Sequence, residues 1–351
     1  MEDTVSHRIH GCYSEIDLDL KLLLKRGALL AAANWPVVAV QFVAATTFQV
    51  LLAVPIIGAA ILVAVLLGAD LAELLRGSLR EMFATVASTL LAEPLALVAF
   101  ITAFLLVLIG GSVLMFLVKG GTIDVLLTAN AAAGPIEREP MTLETFQSAG
   151  RFTLRRYIQG CQRLLRRYLA LGAALMVVYA VSGAGYIAFV VYGYRLAAGR
   201  PLFIGWTFLA ALSTGALVSW ITLVNLLYLL VQIAVAVDGA GLVDACRAVS
   251  GFIRAEFREL ASVFLVVLAL VVAATLASAL AWSGVGLIAF VPLVGLAVFP
   301  LQLAALLLRG VVFEYLGLTA LGAYLTLYAG YAARRGERVR RSALEPLERP
   351  A

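Results

Sequence analysis

The sharpest candidates for chemistry are two charged residues that interrupt a long apolar stretch. Arg309 and Glu314 both lie within the apolar run of residues 285–332. An ionisable side chain at membrane depth is costly unless it is paired or hydrated, so the two residues could form a buried charge relay or gate. The alternative is that they lie at an interface where the helix breaks. Gln302 lies seven positions before Arg309 and therefore on the same side of a helix.

A second group of polar residues follows one face of the predicted fourth membrane crossing. Uncharged polar side chains at bilayer depth normally face other helices, because lipid offers no hydrogen-bond partner. The stripe therefore predicts either contacts between helices or the lining of a path for a solute or lipid. Its members recur at intervals of three or four residues: Ser219, Thr222, Asn225, Tyr228 and Gln232.

Neither group resembles a catalytic or metal-binding constellation. His7 and His10 could share a helix face, but no fourth ligand is in view in the charged N-terminal segment. The sequence has no HExxH, GxSxG, P-loop or GxGxxG motif in a fitting context. We therefore predict that the protein is not an enzyme, and that it has no cofactor and no metal ion.

The composition shows what kind of protein must position these residues. The 351 residues are 63% hydrophobic and only 13% charged, and the mean hydropathy is +1.02. A soluble fold needs a charged exterior, whereas a bilayer accommodates apolar side chains. The net charge of +5 would raise nucleic acid as a partner of a soluble protein. Here the basic residues flank apolar segments, which indicates contact with lipid headgroups and not with nucleic acid.

Six apolar runs predict six membrane-crossing helices. The first and last are too long for one straight crossing, and their prolines at positions 36, 55, 292 and 300 are candidate breaks. An even number of crossings with the N-terminus inside places about 21 of the 26 Lys and Arg residues in the cytosol. Both termini are therefore predicted to be cytosolic. The runs are residues 28–68, 94–118, 168–194, 202–237, 260–282 and 285–332.

One amphipathic segment precedes each pair of predicted crossings. Residues 142–168 and 241–260 carry apolar side chains at helical spacing, and a shorter segment near 15–26 does so more weakly. In the first of these, arginines on the polar side either contact anionic lipid or only enforce the topology. The candidates for lipid contact are Arg151, Arg155, Arg163, Arg166 and Arg167.

These patterns predict an all-α integral membrane fold of six helices in three hairpins, each preceded by a cytosolic amphipathic helix. A cytosolic segment of residues 1–27 would lead into a membrane domain of residues 28–332. A basic cytosolic tail of residues 333–351 would follow. Residues 129–141 are predicted to be a loop.

A stretch of 15 residues resembles a recurring feature of bacterial six-helix inner-membrane proteins. It reads Asp-Gly-Ala-Gly-Leu-Val-Asp-Ala-Cys-Arg-Ala-Val-Ser-Gly-Phe from Asp238 to Phe252, and Tyr324–Tyr331 followed by Arg334 and Arg335 is similar to the ending of those proteins. The membrane domain that accompanies some glycerophosphodiester phosphodiesterases is one of them. The resemblance implies a six-helix membrane fold in a bacterial inner membrane. It implies no activity, because no catalytic residue of that family has a match here.

The leading hypothesis is a non-enzymatic scaffold, accessory subunit or membrane organiser of a bacterial inner membrane. Its expected partners are anionic lipids on the cytosolic side, and a membrane protein or a second copy of the chain. The alternative is a small transporter or channel for a lipid or amphiphilic solute, which would use the polar positions inside the bilayer.

Overall fold

The computed structural model describes residues 20–67, 92–138, 143–197, 203–289 and 294–344, and every regular element in these ranges is an α-helix. Apolar runs without a period-2 pattern, bounded by glycine, proline and charged residues, favour long helices over strands. The helices are α1 (Leu20–Ala33), α2 (Trp35–Leu67), α3 (Pro94–Ala132), α4 (Leu143–Ala149), α5 (Leu154–Ala197), α6 (Phe203–Asp238), α7 (Leu242–Ala255), α8 (Phe257–Ala289) and α9 (Val294–Leu344).

Six of the described helices are long and apolar enough to cross a membrane. A straight crossing needs about 20 residues, and the candidate spans contain 25 to 44. The prediction of an all-α protein with six helices that are able to span a membrane is confirmed for the described residues. The spans are Trp35–Ala59, Pro94–Ala132, Leu154–Ala197, Gly205–Asp238, Phe257–Ala281 and Pro300–Gly336.

Large apolar side chains on these spans face outward. Leu95 is 84% exposed, and Leu106 and Leu280 are both 73% exposed. In water such surfaces would drive aggregation, whereas a bilayer solvates them. The exposed faces therefore agree with a chain whose outer surface is solvated by lipid.

Contacts between Cα atoms divide the chain into two compact units, residues 40–119 and residues 1–39 with 120–351. In the smaller unit, α2 packs on α3. A Cβ atom at Gly111 would overlap the ring of Phe48, and Ala59 is buried against Leu97 and Phe100. The small residues allow these two helices to approach closely.

In the larger unit, α1 crosses α9 at a pair of glycines. A Cβ atom built on Gly322 would lie 3.0 Å from the Cα atom of Gly27. One built on Gly27 would collide with the carbonyl oxygen of Thr319 and lie 2.9 Å from the backbone nitrogen of Ala323. Only glycine fits at this backbone-to-backbone contact, which holds the start of the described chain against its last helix.

The predicted amphipathic helix at 142–168 is divided in the structure. Residues 150–153 separate α4 from α5, and α5 continues from the amphipathic segment into the membrane span. Asn34 explains the break. Its Oδ1 accepts hydrogen bonds from the backbone N–H groups of Arg151 (2.9 Å) and Phe152 (3.1 Å), and its Nδ2 donates to the carbonyl of Ala149 at 2.9 Å. One buried amide thus satisfies the backbone groups that the break releases.

Other boundaries also differ from the sequence-based expectations. The long first run divides at Asn34, between α1 and α2 and two residues before the candidate break Pro36. Pro55 and Pro300 lie inside helices α2 and α9. Helix α3 extends to Ala132, so only 133–138 of the predicted loop is described as non-helical, and the first part of the predicted tail belongs to α9. Pro292, both histidines, residues 15–19 and the end of the tail lie outside the described residues.

Candidate functional site

Among the residues that the structure describes, the most deeply buried charges, Arg26 and Glu137, meet where α1, α9 and the end of α3 come together. Arg26 of α1 donates from Nε to Asn130 Oδ1 at 2.8 Å and from Nη2 to the Asn130 carbonyl at 3.0 Å. Its Nη1 donates to the Gly134 carbonyl and to Glu137 Oε2, both at 2.6 Å. Thr326 of α9 donates to Asn130 Oδ1 at 3.2 Å. We call these five residues the polar centre.

The local backbone places each acceptor of the polar centre. Gly134 has a φ of +57°, a left-handed conformation that glycine adopts without strain. This turn ends α3 and directs the Gly134 carbonyl toward Arg26, with Glu137 one turn further along the chain. The side chains of Arg26 and Glu137 are only 6% and 4% exposed.

Because Arg26 and Glu137 are both buried, each needs the other as its counter-ion. Removing either partner would leave an uncompensated charge away from water, which is far costlier than losing an exposed ion pair. Arginine suits the site because its planar fork donates in several directions at once. The polar centre thus joins three elements and uses Glu137 as a counter-ion, so its chemistry is structural.

Sequence reasoning did not identify the polar centre. Arg26 lies among ordinary basic residues before the first span, and Glu137 lies in what reads as a polar loop. The two positions are 111 residues apart. No spacing rule connects residues at that separation, and the only local signal was a glycine–proline turn next to charged residues.

Further polar contacts lie at the ends of α6, α7 and α9. Tyr328 donates a hydrogen bond to Asp238 Oδ2 at 2.7 Å, and Arg335 lies 3.5 Å from the same oxygen. Arg334 pairs with Glu256 at 2.7 Å. The carboxylate of Asp238, the last residue of α6, therefore ties α6 to α9.

The predicted stripe on α6 contacts α5 at two of its positions, once through a side chain and once through the backbone. Asn225 accepts a hydrogen bond from Tyr179 of α5 at 2.5 Å. The backbone carbonyl of Gln232 accepts one from Tyr168 at 2.9 Å. The Tyr228 hydroxyl and the Gln232 side chain are buried nearby. The side-chain contact of Asn225 favours the interhelical interpretation at that position.

The other two members of the stripe bond to their own helix. Ser219 donates to the carbonyl of Gly215 at 2.9 Å and Thr222 donates to that of Val218 at 2.8 Å. Such back-bonding satisfies a hydroxyl inside a bilayer without a second helix.

Arg309 and Gln302 lie in a different place, on a groove between α8 and α9. The groove has a volume of about 380 Å³, and its walls are almost entirely apolar. The Arg309 guanidinium lies 5.6 Å from the centre of the Phe313 ring. Glu314 is half-buried on α9 and does not line the groove. The predicted intramembrane site is therefore distributed over two pairs of helices, α5 with α6 and α8 with α9.

The five arginines predicted to contact anionic lipid are all exposed. Arg151, Arg155, Arg166 and Arg167 are exposed, and so is Arg163, which forms an ion pair with Asp124 of α3. On the opposite side of α5, Tyr157, Cys161 and Leu164 are buried. An arginine face opposite a buried apolar face is the arrangement that both the lipid-contact and the topology interpretations require.

Within the described ranges, no three His, Cys, Asp or Glu side chains form a group that could hold a metal ion. Comparison with protein-family models, curated proteins and solved structures finds no match to this chain. The resemblance to the membrane domains of glycerophosphodiester phosphodiesterases therefore stays a prediction.

Proposed function

We propose that the protein is a non-enzymatic scaffold or accessory subunit of a bacterial inner membrane, which organises lipids or a partner protein around a rigid helical core. The main observation behind the proposal is that the hydrogen-bonding groups of the polar centre are satisfied by one another. Arg26 donates four hydrogen bonds to groups of its own chain. Buried polar groups that satisfy one another stabilise a single arrangement of helices.

The surface supports the same role. The described spans expose large apolar side chains such as Leu106, Leu212 and Leu276. Exposed apolar faces on membrane helices are available to lipid or to the helices of another protein. A rigid core with apolar outer faces is what a scaffold for lateral contacts needs.

The proposed topology places both termini in the cytosol, with the six helices as three hairpins. Contacts between α2 and α3, α5 and α6, and α8 and α9 support the pairing. The amphipathic pattern of α7 supports a surface helix, because Ala245, Val249 and Phe252 are buried while Arg247 and Arg254 are exposed.

Cys246 on α7 offers a direct test of this topology, because its side chain is exposed while that of Cys161 is buried. In a variant that retains only Cys246, a membrane-impermeant maleimide should label permeabilised cells and not intact spheroplasts. Labelling of intact spheroplasts would reverse the orientation. A cysteine introduced at Arg247 provides a second reporter on the same helix.

Native mass spectrometry of the protein, extracted gently from its own membrane, tests the scaffold role. A protein partner at fixed stoichiometry would support it and identify the pathway. Turnover of a substrate by the purified protein alone would contradict it.

The second candidate function is transport of a lipid or amphiphilic solute, and the groove that contains Arg309 favours it. Reconstituted liposomes should then show a flux that Arg309→Ala reduces, with Asn225→Leu and Gln232→Leu as tests of the α6 stripe. A flux that all three variants leave unchanged would refute transport through these positions.

A further inference from the structure

We propose that the groove between α8 and α9 binds an anionic phospholipid, with its phosphate on Arg309 and an acyl chain along the apolar walls. The inference rests on the membrane insertion proposed above. It holds whether the lipid is carried across the membrane or only retained.

The first argument is the position of Arg309 in the bilayer. Arg309 lies inside the candidate span Pro300–Gly336, nine residues after its first residue. An ionisable side chain within a membrane span requires water, a partner or an anion.

The second argument is what surrounds the guanidinium. Among the described residues, no carboxylate lies within ion-pair distance of Arg309, and Arg309 is exposed. Its aromatic neighbour Phe313 packs near the charge without neutralising it. An arginine fork binds a phosphate through two N–H groups, so a phosphate supplies the counter-ion that the described protein residues do not.

The third argument is the shape and chemistry of the groove. Ala274, Ala277 and Ala281 of α8 form one wall, and Ala305 and Leu306 of α9 contribute to the other. Small side chains leave a channel between two helices that would otherwise interdigitate, and its volume of about 380 Å³ lies in the range of small-molecule sites. The walls suit an acyl chain and reject a hydrated solute.

The direction of the side chain fits a phosphate that approaches from the membrane surface. Helical side chains lean toward the N-terminus of their helix, so Arg309 leans along the groove toward Gln302, and long basic side chains in membranes reach toward the headgroups in this way. Gln302 lies two helical turns nearer to the start of α9 on the same groove and can donate to a headgroup oxygen.

The test is lipid retention by the full chain, measured by native mass spectrometry. The protein is reconstituted into vesicles of phosphatidylcholine with phosphatidylglycerol at one tenth of the lipid, and then extracted. We expect one retained phosphatidylglycerol, selected over phosphatidylcholine by about tenfold or more, which corresponds to about 1.4 kcal/mol. Arg309→Gln should abolish the selection, and Arg309→Lys should retain part of it.

Two further variants separate the groove from a general effect of charge or misfolding. Ala277→Leu keeps the arginine and fills the groove, so it should reduce retention of both lipids. Arg195→Gln removes an exposed arginine at the end of α5 and should leave retention unchanged. Each variant must elute as a single symmetrical peak in size-exclusion chromatography.

Three outcomes would overturn the proposal. One is equal retention of the two lipids by the unaltered protein, and another is unchanged selection in Arg309→Gln. The third is retention of a free fatty acid with no phospholipid. Turnover of a substrate by the purified protein alone would contradict the scaffold role while leaving this lipid result standing, so the two failures are distinguishable.

Discussion

Removing the guanidinium of Arg26 should destabilise the protein more than removing any exposed arginine. In Arg26→Met, the carboxylate of Glu137 stays buried without a counter-ion, and the carbonyls of Asn130 and Gly134 lose their donor. Breaking a buried ion pair costs about 3–5 kcal/mol. Because the unpaired acceptors belong to the same network, their costs of about 1–3 kcal/mol each do not simply add.

The free energy of unfolding can be measured in mixed micelles by titration with a denaturing detergent, followed by tryptophan fluorescence. We expect Arg26→Met and Glu137→Leu each to lose about 3–5 kcal/mol. The double variant should lose less than the sum, with a coupling energy of about 1–3 kcal/mol. Arg167→Met is the matched control, because Arg167 is exposed, and its effect should stay within about 0.5 kcal/mol.

Two results would refute this reasoning. If Arg26→Met lowers the free energy of unfolding by less than about 1 kcal/mol, the guanidinium contributes no more than a single net hydrogen bond does. If the single losses add without coupling, Arg26 and Glu137 do not act as a pair. Either result would mean that water reaches the polar centre and that the ion pair is effectively an exposed one.

Three smaller changes test other contacts. Gly27→Ala should destabilise the protein, because a Cβ atom there meets the backbone of α9. At Gly317 a Cβ atom has no neighbour within 4 Å. Gly317→Ala is therefore the control, and it should be neutral or stabilising by up to about 1 kcal/mol in the same titration. Asn34→Ala should expose the α4–α5 break, and limited trypsin digestion should then cut there several times faster than in the unaltered protein. Asn225→Leu removes the acceptor of one hydrogen bond in the membrane and should cost only about 0.6 kcal/mol; a loss above about 2 kcal/mol would show that the amide has another role.

The helical class and the six spans were predictable because hydropathy accumulates over about 20 neighbouring residues and needs no knowledge of distant contacts. Boundaries were less predictable where a single side chain decides them. The α4–α5 break depends on Asn34, which is 115 residues from its partner Ala149. A local window cannot see such a contact, and the amphipathic pattern of 142–168 therefore reads as one helix.

The candidate site residues also divide into those with a local signal in the sequence and those without one. Arg309 was identified because it interrupts an apolar run, which is a local signal of cost. Asn225, Tyr228 and Gln232 were identified by their helical spacing, although spacing could not say which helix they face. Arg26 gave no such signal, because a basic residue before a first span is what the positive-inside bias leads one to expect.

Arg26 and Arg309 represent two different environments for an arginine among apolar helices. Arg26 is 5% exposed, and its own chain supplies both the counter-ion and the carbonyl acceptors, so further binding there would have to displace protein contacts. Arg309 is exposed on an apolar groove, and among the described residues it contacts an aromatic ring but no carboxylate. A charge that the protein has already neutralised stabilises a fold, whereas a charge left for the surroundings to neutralise selects what binds there. That difference is why we assign structure to the polar centre and lipid recognition to the groove.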